Sequence, residues 1–584
     1  MMPNSSGPQE VGEPTHSTRP FSLRHRWTWL VLILIVLFNA GVRFRLRDMP
    51  LERDEGEYAY AGQLILQGIP PYALAYNMKF PGTYCAYALI MSVFGQTPAG
   101  IHLGFTLVNA AGIILVFLLG ARLVGDGAAL AASAIYACLS LSQALLGTAA
   151  HATHFVNVPA LCGLLLLLKR HESSASFGSS RREEAQTSPD GMSEPPHVGC
   201  YEVLYPTVGW LRCFSSGLLL GVALLMKQPG AFFALFAIGW LIWIQPRPID
   251  PRRLVVSLSV FGLGLLTAIA ITGIWLWHAG VFGKFWFWTI DYAREYATEY
   301  PGLKFTLHRL FSRTPPLIDA LFCVAVPGLI VLWRKADRSV AVFVTGWFAF
   351  STAAIFPGFN FWPHYYVLCL PAAALLAGTA VACASGFFQR HQQSVLALLP
   401  GVVLIGLLIR EVVRERALFF EAGPIEACRL VYGWNPFPES MQIGKYLDTH
   451  ADKSARIAVI GSEPQIYFFS HRHSATGYIY TYGLMESQPY AERMQREMID
   501  EIEAAKPEYV IWVEIATSWA IRPDANPMIF DWAQQYVNNG YQRIGVLDIY
   551  AGQRTDIRWD AEAQKLPPQS VTYLSVFKRK DTNR

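Results

Sequence analysis

Apolar residues run in long stretches along most of this chain, interrupted by short polar turns, and give way near the end to a shorter, mixed pattern. A bilayer core about 30 Å thick takes about 20 apolar residues per helix. On that measure about eleven spans are predicted, near 27–45, 98–120, 127–146, 154–169, 208–226, 230–245, 254–278, 316–333, 339–356, 364–387 and 394–410. Residues 83–96 are apolar but short, and read as a helix lying in the membrane interface. The run Trp27–Val42 is followed by Arg43, Arg45 and Arg47 and not by a small-residue cleavage site, so it reads as an uncleaved first helix.

From about Glu411 the pattern is that of a soluble domain. Ala455–Gly461, Pro507–Glu514 and Val571–Phe577 read as strands, and Gln488–Lys506 and Pro527–Asn539 as helices. Strands alternating with helices predict a small α/β sheet domain. The fold class expected is therefore an α-helical polytopic membrane protein of about 11 transmembrane helices with a small C-terminal α/β soluble domain. Its expected parts are a polar tail at 1–26, a membrane domain at 27–410 and a soluble domain at 411–584. A Ser-, Glu-, Arg- and Pro-rich linker at 171–206 interrupts the membrane domain. Tail and linker read as disordered and cytoplasmic.

Composition agrees. Hydrophobic residues make up 53% of the 584 and charged residues only 15%, against about 25% in soluble proteins. The net charge of +4 is small and spread out, which gives no case for a nucleic-acid partner. Nine cysteines are scattered without CxxC or Cys/His spacing, so neither a disulfide framework nor a cysteine metal site is expected.

Lys and Arg in the short loops set the orientation. Arg122, Lys169–Arg170 with Arg181–Arg182, Arg247 with Arg252–Arg253, Arg334–Lys335 and Arg390 all fall on one side, whereas 147–153 and 357–363 carry no Lys or Arg. Eleven spans then put the N-terminus in the cytoplasm and the C-terminal domain outside. The Arg cluster after the first span and Arg410–Arg416 after the last run against this count.

Several polar groups are unusual for their positions. Glu52-Arg53-Asp54-Glu55-Gly56-Glu57-Tyr58 follows the first span. Its carboxylates fit a solvated loop, or the first turn of an interfacial helix, where the dipole favours negative charge or the ligands of a cation. Lys79 fits snorkelling to headgroups or a grip on a lipid phosphate. His151 and His154 are three apart, share a face if helical, and fit metal ligands or polar caps. Lys227 is the basic residue at the outer end of its span, a position where charge tends to be functional. Arg294 lies in Asp291–Tyr296, which reads as an amphipathic interfacial helix. His364, Tyr365 and Tyr366 open the tenth span; an aromatic belt explains the tyrosines but not the histidine. Ser462-Glu463-Pro464 follows a strand end and fits an ordinary helix entry or a ligand position. The loop count puts Asp54–Glu57, Lys79, His151, His154, Lys227 and His364 on one face, the outer one.

Asp54-Glu55-Gly56-Glu57-Tyr58-Ala59-Tyr60, just after the first helix, resembles the first outer-loop motif of GT-C glycosyltransferases, and more narrowly the bacterial branch of the dolichyl-phosphate-mannose–protein mannosyltransferase and aminoarabinose-transferase type. Lys79-Phe80-Pro81-Gly82 is similar to that branch's Lys-Pro-Pro segment, but with Phe80 and Gly82 flanking a single proline. His364-Tyr365-Tyr366 with Leu370-Pro371 is similar to its His-Tyr element at the start of a late span. The resemblance covers most of the chain. It implies an inverting transfer of a sugar from a polyprenyl-phosphate donor to a lipid, glycan or protein acceptor on the outer face. Asp54 would be the catalytic acid, with Glu55 in support. Lys79, His364, Lys227 and Arg294 would be candidates for the donor phosphate. Glu57, His151, His154, Tyr365 and Tyr366 would be substrate or metal candidates. No cofactor is implied outright, though the acids and histidines allow a divalent cation. The chain's one Asn-x-Ser/Thr sequon, at Asn4, falls in the expected inner tail, which leans towards a bacterial inner membrane. The main competing reading is a transporter or lipid flippase; it would place charges mid-helix and show related halves. A scaffold would leave the Asp54-Glu55 segment unexplained, and an O-antigen ligase need not have it.

Overall fold

A computed structural model describes residues 23–168, 208–298, 301–550 and 554–580. The expected linker at 171–206 and most of the tail at 1–26 lie outside the described residues. Two parts follow one another along the chain, a helical membrane part and a mixed sheet.

The first helices are α1 (Leu23–Arg45), α2 (Arg53–Leu66), α3 (Gly82–Phe94), α4 (Pro98–Leu123), α5 (Asp126–Leu139), α6 (Ala152–Leu167), α7 (Trp210–Met226), α8 (Ala231–Trp243) and α9 (Pro251–His278). Further apolar helices run over Pro316–Lys335, Arg338–Ala353, Leu370–Arg390 and Leu399–Arg414. Each of the predicted spans coincides with one of these helices, and the short apolar run is α3. Six described helices are long and apolar enough to cross a membrane: Arg26–Arg45, Pro98–Leu123, Pro251–His278, Pro316–Lys335, Leu370–Arg390 and Leu396–Arg414. Small residues bring some of them very close. A Cβ on Gly217 of α7 would lie 2.0 Å from the Phe261 carbonyl oxygen of α9. Such contacts hold helices together where lipid removes the hydrophobic drive between them. Leu399–Arg414 buries no residue and turns Val402, Val403, Ile405 and Ile409 outward, as a lipid-facing helix does. The protein is an integral membrane protein.

The third predicted span stops early. α5 ends at Leu139, and the chain makes a short turn at Gln143–Leu145 before reaching His151. The cause lies in α1. Arg43 is buried inside that helix and donates to the Ser140 carbonyl at 2.8 Å and the Gly147 carbonyl at 2.9 Å. Asn39 adds a bond to the Ala137 carbonyl at 2.8 Å. Arg45 reaches the Ala422 carbonyl at 2.6 Å. Arg43 and Arg45, two of the arginines that run against the loop count, are therefore spent on backbone carbonyls freed where helices end.

The C-terminal part is a six-stranded sheet of β1 (Arg456–Ile460), β2 (His473–Ser474), β3 (Tyr509–Glu514), β4 (Tyr541–Ile549), β5 (Thr555–Trp559) and β6 (Tyr573–Arg579), in the order β2-β1-β3-β6-β4-β5. β2, β1 and β3 are parallel; β6, β4 and β5 join antiparallel. β1, β3 and β6 match the predicted strands. β2, β4 and β5 have no counterpart among the predicted strands; in β4 a register shift at Arg543/Gly545 breaks the alternation, and Gly545 packs under the Trp559 ring.

The two parts meet at α2. Gly56, the glycine of the Asp-Glu-Gly-Glu motif, sits against Gln465, where a Cβ would come within 2.6 Å of the glutamine Cβ. The Tyr60 hydroxyl accepts from the Ser474 amide at 2.8 Å, and the Tyr76 amide donates to the Gly477 carbonyl at 2.6 Å. The apolar face of α2 and the inner face of β1 and β3 form one buried cluster, including Tyr58, Ala61, Leu64, Val459, Tyr467 and Ile511.

Candidate active site

The acids that follow the first helix form the N-terminus of α2. Glu52 caps the helix, accepting from the Glu55 amide at 2.8 Å, while the Glu55 carboxylate accepts from the Glu52 amide at 3.2 Å. This reciprocal box satisfies two of the donors a helix start leaves open. It also fixes which way each acid faces.

Asp54 faces the gap. Its Oδ1 accepts from Lys79 Nζ at 2.8 Å and from the Tyr480 hydroxyl at 2.7 Å. Its Oδ2 lies 3.7 Å from His151 Nδ1. Glu57, one turn on, accepts from Lys79 at 2.6 Å and from the Tyr84 hydroxyl at 2.5 Å. Burial opposes ionisation of Asp54, but the Lys79 charge and then His151 outweigh it and hold its pKa well below the usual carboxylate range. For Glu57 burial prevails over Lys79 and the pKa rises. Burial likewise pushes Glu52 up to about 7. His102 and the Ala150 amide outweigh burial at Glu55 too and hold it low, but Glu55 has no exposed side chain, whereas 23% of Asp54 is exposed.

Lys79 is held by its own loop. Tyr72 donates to the Lys79 carbonyl at 2.7 Å, and the ammonium lies 4.6 Å from the Tyr58 ring centre. The Phe80-Pro81-Gly82 departure from the family pattern has a local reason. A Cβ on Gly82 would come within 2.5 Å of the Leu225 carbonyl oxygen, and Thr83 donates to the Met226 carbonyl at 2.7 Å. The Lys79 segment is therefore clasped to the end of α7, which carries Lys227. Lys227 lies 4.2 Å from the Tyr365 ring centre. Burial pushes its pKa down to about 7, although Asp54 pulls the other way.

His151 and His364 stack with ring centres 4.2 Å apart and planes 13° off parallel. Both His151 ring nitrogens, and Nδ1 of His364, are buried without a hydrogen-bond partner among the described residues. Burial lowers the His151 pKa, but Glu52 and Asp54 outweigh it and raise it. Asp54, His151 and His364 each offer one ligand atom, all within 4.8 Å of one another. A carboxylate and two imidazoles with unsatisfied nitrogens suit a divalent transition ion.

Other sequence candidates go elsewhere. Glu55 is fully buried: it accepts from the Ala150 amide at 2.7 Å and pairs with His102 at 3.0 Å. It ties α2 to α4 and to the backbone just before His151. His151 is the extended cap of α6 and His154 lies in the helix's first turn. His154 packs edge-on to Phe105, ring centres 5.0 Å apart. Arg294 is 74% exposed and lies 3.6 Å from Glu295. Tyr366 bonds Thr314 at 2.6 Å. The structure thus gathers Asp54, Glu57, Lys79, His151, Lys227, His364 and Tyr365, and does not gather Glu55, His154, Arg294 or Tyr366 with them.

Two neighbours of the site were not singled out from sequence. His102 sits within the predicted second span with no motif around it. Tyr480 is one of several tyrosines in Tyr478–Tyr482, over 400 residues from Asp54, and nothing in its local pattern marks it. Glu463 reads from sequence only as part of a strand end. It pairs with Arg53 at 2.7 Å, while Arg53 also donates to the Ser462 carbonyl at 2.6 Å and to the Tyr482 hydroxyl at 2.9 Å.

The chain matches no protein-family model and no curated protein. Solved structures do match. ArnT from Cupriavidus metallidurans bound to undecaprenyl phosphate is similar at TM-score 0.54 and 14% identity, over 94% of this chain and 98% of that one. The Archaeoglobus fulgidus oligosaccharyltransferase in the apo form is similar at TM-score 0.51 and 13% identity, over 96% of this chain and 77% of that one. The same archaeal protein in complex with an inhibitory peptide and a dolichol-phosphate matches at TM-score 0.50 and 12% identity, over 96% of this chain and 77% of that one. The chain shares its fold with these solved structures, in line with the fold that the resemblance of the first-loop motif implies.

Proposed function

We propose that the protein is a glycosyltransferase that moves a sugar from a polyprenyl-phosphate donor to an acceptor hydroxyl or amine, with inversion, at the membrane surface where Asp54 opens. The observation that carries this reading is the Asp54–Lys79 pair at the head of α2, an anionic base and a cation in contact at 2.8 Å, on a fold whose solved examples bind undecaprenyl phosphate or dolichol-phosphate.

The chemistry follows from charge. The acceptor atom attacks the anomeric carbon, the carbon–oxygen bond to the donor phosphate breaks, and the acceptor's proton passes to Asp54. The departing phosphate gains charge, which Lys79 and Lys227 stabilise. The pair also times the base. A donor phosphate competes with Asp54 for Lys79. Drawing the ammonium away removes the charge that holds Asp54 low, so the carboxylate becomes a better base once donor is bound. The loop-charge count supports placing Asp54 outside and the N-terminus inside, at a bacterial inner membrane. Asp54, His151 and His364 support a second reading, in which they hold a divalent cation that would act as a Lewis acid towards the phosphate.

The test is turnover by the purified protein in lipid nanodiscs, given undecaprenyl-phosphate sugars and cell-envelope acceptors. Release of undecaprenyl phosphate that depends on acceptor supports the reading; no release from any donor tested counts against it. Calorimetry with Mn²⁺ or Zn²⁺ decides the second reading: one ion bound, and none by His364→Ala, is the expected outcome.

A further inference from the structure

The C-terminal domain reaches the reacting group itself. Tyr480 lies between β2 and the short helix Tyr482–Met485, and its hydroxyl donates to Asp54 Oδ1 at 2.7 Å. Its ring also flanks Lys79, whose Nζ lies 5.2 Å from the ring centre. Nothing else in the contact requires a hydroxyl there, since a bare ring would fill the same space. We propose that Tyr480 is a positioning residue for Asp54, and that the soluble domain is thereby a working half of the active site.

The placement is over-determined by docking contacts on every side of it. Glu463 and Ser462, at the C-terminal end of β1, grip Arg53, the residue before Asp54. Gln465 packs on Gly56, two residues after it. Gly477 lies under the Tyr76 ring and bonds the Tyr76 amide, three residues before Lys79. These contacts hold the end of the parallel strands, the edge where α/β sheets present functional loops, against the head of α2. A carboxylate with two donors on one oxygen has a fixed plane. Lys79 and Tyr480 together occupy Oδ1 and leave Oδ2, which makes no hydrogen bond among the described residues and lies 3.7 Å from His151 Nδ1, as the atom that takes the acceptor proton. When a donor phosphate draws Lys79 away, the Tyr480 hydroxyl still holds the carboxylate in that plane. Acceptor proton transfer depends on such alignment, because a base must lie within hydrogen-bond reach of the proton it removes.

The effect on rate rests on the transferase reading; the contact does not. Two measurements therefore separate them. The first is ¹⁹F NMR of full-length protein carrying 3-fluorotyrosine at position 480. A resonance that moves on Asp54→Asn supports the contact; one that does not move overturns the proposal whether or not the protein is a transferase. The second is steady-state turnover of Tyr480→Phe, which keeps the ring and removes only the hydroxyl. The expected result is a kcat lowered about ten-fold or more, from losing a hydrogen bond to a charged group. Donor KM should stay within about two-fold, since the hydroxyl makes no claim on the phosphate. Unchanged kcat overturns the positioning role. So does a loss of kcat matched by loss of protease resistance or thermal stability, which would make the hydroxyl part of docking alone. A wild-type protein that turns over no donor would sink the transferase reading, and the fluorine resonance would still decide the contact.

Discussion

The ammonium of Lys79 lies 2.8 Å from the Asp54 carboxylate, so a cation from the connection between α2 and α3 sits directly on the anion at the head of α2. Lys79 is shared with Glu57 at 2.6 Å; burial raises both acids, but at Asp54 the Lys79 charge and His151 outweigh it, so Asp54 is held low and Glu57 raised. Under the proposed function, such a site would hold a phosphate on Lys79 and release Asp54 as the base.

Lys79→Met is expected to lower transfer by about 100-fold and to weaken undecaprenyl phosphate binding by about ten-fold, the loss of a charge-assisted hydrogen bond. Titration of the lipid against the variant in nanodiscs checks the binding arm. Unaltered affinity would remove Lys79 from the phosphate site.

Lys227 gives donor binding a pH dependence. Burial lowers its pKa to about 7, so the ammonium is present below that pH and lost above it. Donor KM should therefore rise as pH climbs from about 6.5 to 8.5, as the charge that attracts phosphate disappears. Lys227→Arg keeps its charge throughout and should flatten the rise. A wild-type KM that is level over this range contradicts the assignment.

Arg53→Met breaks a buried ion pair and strands Glu463 without its cation, a change that costs about 3–5 kcal/mol. The C-terminal domain should then loosen from α2. Limited trypsin digestion should release it from the variant at protease levels that leave the wild-type protein whole, with a lowered melting temperature. Equal resistance would mean that Arg53 does not govern docking.

The membrane helices were legible because apolar run length alone decides them, and the error at α5 shows the limit of that rule. Its apolar run continues past Leu139, but Arg43 claims the Ser140 and Gly147 carbonyls and turns the chain. The arginine had read as a loop charge beside the first span; only the folded neighbourhood shows it facing inward. Asp54 and Lys79 were readable from local motifs, which carry their own flanking pattern. His151 was readable as a residue but not as a geometry, because its place outside α6 depends on a cap conformation that three-residue spacing does not specify. Gly56 shows the converse. The motif names it, but its reason, the close approach of Gln465, comes from the far end of the chain. Tyr480 carried no local signal at all, since what distinguishes it from Tyr478 and Tyr482 is solely that Asp54 lies across the domain contact.

The most direct test of the account is donor turnover by Asp54→Asn, measured beside its binding of undecaprenyl phosphate. The amide keeps the shape and cannot take the acceptor's proton, so turnover should fall by about 100-fold or more, while expression, membrane insertion and lipid binding persist. Asp54→Asn protein that releases undecaprenyl phosphate at the wild-type rate would contradict the assignment of Asp54 as the base.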